Sequence, residues 1–245
     1  MRRFVISTLL LLSAADLGWS QVDVPSSKAQ SLPMYRPILL GTGPDSLVNR
    51  IDAAGLVQQG QKDAAVMFSC AVKKDGTVNS VSTYRGTAEI LKKLNLAVNP
   101  KMIPAINNHM AVDAIYYGTV ILTIVKDKPR LRIFSNQERE ELAKESDFVG
   151  PQPFWGGDSK FNGFHYPDKN TAPVKVDGSA ELELKVDEKG NLLDLKLLSE
   201  QPPCLGFGDI AFEDMSKAKF IPAFRDGKPV ACVVKLPIYY KAPTF

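Results

Sequence analysis

The chain has 245 residues, 44% hydrophobic and 23% charged, a balance that excludes wholesale disorder and allows one or two folded domains. A formal net charge of +3 is too small for the strongly basic face that nucleic-acid binding requires.

The chain opens with a basic Met1-Arg2-Arg3, an apolar run over residues 4–15, a break at Asp16, and small residues around Gly18-Trp19-Ser20. This is the pattern of a secretory signal over residues 1–20, and the run is shorter than the roughly 20 apolar residues of a membrane span. The expected location is therefore periplasmic or secreted, with inner-membrane anchoring as the alternative if the signal is not cleaved. Residues 21–43, rich in Pro, Ser and Gly, read as a lead-in.

A first unit is expected over residues 44–134. Pro44 suits the first turn of a helix to about residue 59, with Leu47, Ile51, Ala54 and Val57 on its inner face. Ala64, Val66, Phe68, Cys70 and Val72 then alternate as in a half-buried strand. Lys73-Lys74-Asp75-Gly76 turns into a second strand with Val78, Val81 and Tyr84. Thr87 can cap a helix carrying Ile90, Leu91, Leu94 and Ala97, which Asn99-Pro100 ends. Residues 111–125 are β-branched and aromatic, favouring a strand, and residues 131–134 form another after a turn.

Residues 135–163 read as a linker. Ser135 and Glu138 have capping-box spacing ahead of a charged segment. The aromatics Phe154, Trp155, Phe161, Phe164 and Tyr166 are expected to pack on the adjoining domains, with a glycan- or peptide-contacting loop as the alternative.

A second unit, residues 164–245, repeats the order. Ala180, Leu182, Leu184 and Val186 alternate, Gly190 sits in a turn, and Leu193, Leu195 and Leu197 alternate again. A helix over 207–219 carries Ala211, Met215 and Ala218, and the last strand carries Val230, Cys232, Val234, Leu236, Ile238 and Tyr240. Gly76 superimposes on Gly190, 114 positions later, and Met102-Ile103-Pro104-Ala105 on Phe220-Ile221-Pro222-Ala223, 118 positions later. The expected fold class is α+β: two tandem ββαβ units, each a small antiparallel sheet with a helix on one face.

The second unit resembles the TonB C-terminal domain family over about residues 164–241. The resemblance is carried by Tyr166-Pro167, Val176-Asp177-Gly178, Val186-Asp187, Gly190, Lys219-Phe220-Ile221-Pro222-Ala223 and Gly227-Lys228-Pro229-Val230. The first unit looks like a diverged copy. The resemblance implies a non-enzymatic domain that adds an extended segment of an outer-membrane receptor to an exposed strand edge. On this sequence that edge is the strand with Val230, Cys232, Val234, Leu236, Pro237 and Ile238. Pro237 in a strand-like run itself suggests an edge. Within this fold Cys204 and Cys232 are candidates for a disulfide.

The chain departs from the family's transducers in its cleavable-looking signal and in lacking a long Pro-rich spacer. Residues 21–43 reach at most roughly 80 Å fully extended. The expected function is therefore an exported binding protein linked to TonB-dependent outer-membrane transport. The alternative is an extracytoplasmic scaffold that reuses the fold without energy transduction. No metal, cofactor or catalysis is expected, because the only histidines, His109 and His165, lie far from each other and from any ligand spacing. Gly41-Thr42-Gly43 has Ser46 where a dinucleotide fingerprint needs glycine.

Overall fold

In the computed structural model, residues 31–84, 101–168 and 174–243 are described. The expected signal, the first part of the lead-in and the helix expected over residues 87–97 lie outside them.

Strand β2 (Ala64–Val72) forms because its apolar residues alternate: Val66, Phe68, Cys70 and Val72 are buried. It lies between β3 (Val78–Tyr84) and the long β5 (Met110–Val125), both antiparallel to it. The short β4 (Ala105–Asn107) pairs with the start of β5 and with β1 (Tyr35–Arg36). Strand β6 (Lys128–Phe134) folds back along β5, pairing Thr119 with Phe134 through Val125 with Lys128. The helix expected over residues 44–59 is instead two pieces, α1 (Leu47–Arg50) and α2 (Ala53–Gln58). The chain is extended at Ile51, and the Asp52 carboxylate accepts the Gly55 N–H at 2.9 Å, so Asp52 starts a new helix rather than continuing the first.

The linker holds α3 (Arg139–Lys144) and β7 (Gln152–Trp155). The expected capping box does not form. Glu138, not Ser135, is the N-cap residue, and Ser135 Oγ instead lies 3.1 Å from the Tyr116 hydroxyl.

In the second half, β8 (Gly178–Val186) is central, flanked by β9 (Leu192–Gln201) and β13 (Cys232–Tyr240). Ala180, Leu182, Leu184 and Val186 face Phe207, Ala211 and Met215 of α4 (Phe207–Ser216) in one apolar cluster. After α4 come β10 (Phe220–Ile221), β11 (Ala223–Arg225) and β12 (Lys228–Val230). The Tyr166 hydroxyl donates to Val176 O at 2.7 Å, and its ring stands edge-on to Phe207 and Tyr240. The Tyr-Pro of the sequence pattern therefore anchors the start of this unit to its core.

The two halves share a strand order, β5-β2-β3 and β13-β8-β9. They also share register: Val72 pairs with Ala114 where Val186, 114 positions on, pairs with Cys232, 118 positions on. They interlock as well. β10 pairs with β7, which also pairs with β5, and Ile221 enters the first half's cluster. Residues 114–120 of β5 are buried almost throughout because the strand is covered on both sides. Ala114, Tyr116 and Val120 enter the first cluster, while Ile115 and Tyr117 enter the second. The linker aromatics divide likewise: Phe154 joins the first cluster, and Phe148 and Phe161 the second. The described residues from Leu32 onward form one compact unit.

Candidate peptide-binding edge

Strand β13 is one of the two outer strands of its three-stranded sheet, β9 being the other, and its outer side has no strand partner among the described residues. Along an antiparallel strand both backbone polar groups and side chains alternate. Val234, Leu236 and Ile238 turn their side chains into the core. Lys235 does the reverse: its side chain is exposed, and its N–H leaves the ladder to meet Glu138 Oε1 at 2.7 Å. By the same alternation Val233 and Pro237 direct their backbone outward, and Val233 is 57% exposed. Pro237 thus stands where its missing N–H breaks no ladder bond, the physical basis for reading it as an edge residue.

The six residues expected to form the edge consequently play different parts. Val234, Leu236 and Ile238 hold β13 to β8 and to the core, whereas Pro237 faces outward. Val230 ends β12, and Cys232 begins β13. Val233 and Lys235, which present the outward backbone groups, carry no apolar alternation and are found only from the phase of the strand. Toward its C-terminal end the edge runs beside a cleft of about 260 Å³ whose opposite wall includes Ser69, Ala71, Ile115 and Tyr117. Pro237 lines this cleft, and Val233 borders a second one with Glu138 and Phe148.

Buried amides fix the linker beside this edge. Asn136 Nδ2 donates to Phe148 O at 2.6 Å, and Thr119 Oγ1 donates to Asn136 O at 2.9 Å. Gln137 Nε2 donates to Phe68 O at 3.0 Å. Arg225 clamps the other side of the linker, donating to both oxygens of Glu141 at 2.5 and 3.2 Å, with its guanidinium over the Phe148 ring. Burial, opposed by the Lys235 N–H and charge, pushes the Glu138 carboxyl above the usual carboxylate range.

The expected Cys204–Cys232 bond is not present, and all three cysteines are free thiols. The register explains why. Gln201 pairs with Ser179 and Cys232 with Val186, seven residues further along β8. That separates them by roughly 23 Å at ~3.3 Å per residue, and the three residues from Gln201 to Cys204 recover at most ~11 Å. A disulfide needs Cα atoms within about 7 Å.

His165 is a docking residue in this structure. Asp214 on α4 is 3% exposed and accepts both the His165 N–H and its ring Nδ1 at 2.8 Å. This pair seats the segment before Tyr166 on the helix. Among the described residues, no group of three or more His, Cys, Asp or Glu could hold a metal ion, and no helix is long and apolar enough to cross a membrane.

A helix across one face of a three-stranded antiparallel sheet, with an outer strand offering backbone groups, defines a small α+β domain whose distinctive surface is a strand edge. Residues 163–242, about a third of the chain, match the family model described as Gram-negative bacterial TonB protein C-terminal, so this part of the chain is similar to TonB C-terminal domains. That family is a non-enzymatic, envelope-associated domain that interacts with proteins such as outer-membrane receptors. No curated protein and no solved structure matches the chain.

Proposed function

We propose that this protein is an exported, non-enzymatic binding protein of TonB-dependent outer-membrane transport. It holds an extended segment of a protein partner by adding it as a strand to the outer edge of β13. The observation that carries this reading is the phase of β13: Val233, Lys235 and Pro237 point their backbone away from β8 on a strand with no outer strand partner among the described residues. The first half supplies the precedent. There β5, the strand in the place of β13, is extended by β6 on the side away from β2. We read the two halves as copies of one ββαβ unit, the first having acquired its extra strand in cis and the second keeping its edge for a partner.

A photo-crosslinking residue at Val233, in the full chain expressed in a Gram-negative host, tests this reading. Crosslinking to an outer-membrane receptor from Val233 but not from Leu193 on β9 supports it. Equal crosslinking from both positions, or none from Val233, overturns it.

The pairing of β10 with β7 favours a second reading, a scaffold in which the halves chiefly bind each other. In that case blocking the β13 edge has no effect on partner capture.

A further inference from the structure

We propose that Glu138 is a resident occupant of the β13 edge, standing where the carbonyl of an incoming strand would stand, so that partner binding requires its release. The inference rests on the strand-addition reading and adds a regulatory contact to it.

Three observations carry it. First, the Glu138 carboxylate accepts the outward Lys235 N–H at 2.7 Å from a residue 97 positions away. A pairing strand would supply a backbone carbonyl to the same N–H, and one donor cannot serve both acceptors at full strength. Second, Glu138 is the N-cap residue of α3, yet its side chain makes no capping bond. The group that could satisfy its own helix is directed to β13 instead. Third, the backbone of the linker is held by Asn136 and Gln137 rather than by this contact. Glu138 can therefore swing away by side-chain rotation while the linker stays seated.

The surroundings make release inexpensive. The carboxylate is partly withdrawn from water, and Glu140 and Glu141 add like charge beside it. Returning it to solvent recovers hydration that offsets part of the lost hydrogen bond. A cleft of about 260 Å³ bordered by Glu138, Phe148, Cys232 and Val233 gives an entering chain room at this point.

Amide hydrogen exchange and a peptide titration, both read by NMR on the full chain, test the proposal with wild type, E138Q and E138A. The probe is a synthetic peptide of the sequence Lys128–Phe134, the strand that extends β5. In E138A the Lys235 amide should exchange about tenfold faster, with the Val234 and Leu236 amides unchanged. The peptide should bind E138A about tenfold more tightly than wild type, with E138Q between, and should restore protection at Lys235. Unchanged exchange at Lys235 overturns the proposal. So does equal affinity for all three proteins with β13 amides shifting, a result that leaves strand addition standing. A peptide that shifts no β13 amide in any of the three overturns both readings.

Discussion

Gly190 lies directly beneath the backbone of Phe220. The Phe220 N–H donates to Gly190 O at 3.0 Å, and a Cβ on Gly190 would overlap the Phe220 carbonyl. Gly190 also has a φ of +79°, in the left-handed region. Gly76 and Met102 repeat the arrangement in the first half, with an N–H to carbonyl distance of 2.9 Å and the same overlap. The glycine and the residue just before each Ile-Pro-Ala segment are thus two sides of one contact that ties the hairpin turn to the chain further on.

Gly190→Ala should therefore destabilise the protein by about 3 kcal/mol or more, combining left-handed strain with overpacking against backbone. Gly76→Ala should act in the same direction. Urea denaturation of both variants checks this, and a cost below about 0.5 kcal/mol at either position would contradict the contact.

Pro237 and Val234 should respond in opposite ways. Pro237→Ala restores an N–H that faces out of the ladder, so stability should change by no more than about 0.5 kcal/mol. It should also raise self-association, since an edge loses a residue that discourages pairing. Val234→Pro removes a ladder bond to β8 from a buried residue and should cost about 2 kcal/mol or more. Denaturation and analytical ultracentrifugation together separate the two outcomes.

The thiols should differ sharply in reactivity. Cys204 is exposed. Burial, with the nearby Glu138 charge, pushes the Cys232 thiol up to about 12, and burial alone pushes Cys70 up to about 12. Since the thiolate is the reactive form, a thiol reagent on the native chain should modify Cys204 first and leave Cys70 until unfolding. The double variant C204S/C232S should keep wild-type stability within about 1 kcal/mol. A substantially larger loss would point to a bond between them.

Hydrogen bonds from Arg225, then from Ser146, hold the Glu141 carboxyl below its ordinary range. A depressed folded-state value means stabilisation that is present above the unfolded value and lost as pH falls through the folded one. Glu141→Gln should therefore be less stable than wild type near neutral pH, and the two should converge below the ordinary carboxylate range. Urea curves at about pH 7 and about pH 3 check the convergence. A constant difference across that range would show that the Glu141–Arg225 clamp does not act through charge.

Much of the second half was legible because its signals are local. The alternation from Ala180 to Val186 gives β8 directly, and Gly190 with Phe220-Ile221-Pro222-Ala223 marks a contact that recurs with Gly76. Pro237 suggests an edge because a proline has no N–H to give a ladder, and it lies on β13, an outer strand of its three-stranded sheet. Apolar spacing that continues through Asp52 suggests one helix over residues 44–59, whereas the Asp52 carboxylate caps a second helix. The disulfide expectation failed because strand register, invisible in a single sequence, places Cys204 and Cys232 at opposite ends of β8. Apolar residues drew attention to Val234 and Leu236, while the outward backbone belongs to Val233 and Lys235. The Glu138 contact spans 97 positions and uses a backbone donor, so no residue pattern announces it.

The most direct measurement is an isotope-filtered NOE experiment on the full chain bound to an extended periplasmic segment of an outer-membrane receptor. Contacts from the segment's backbone protons to Val233 and Lys235, in antiparallel or parallel register along β13, are the predicted result. A segment that binds along β9 between Leu193 and Leu198, or that leaves Val233 and Lys235 untouched, would contradict it.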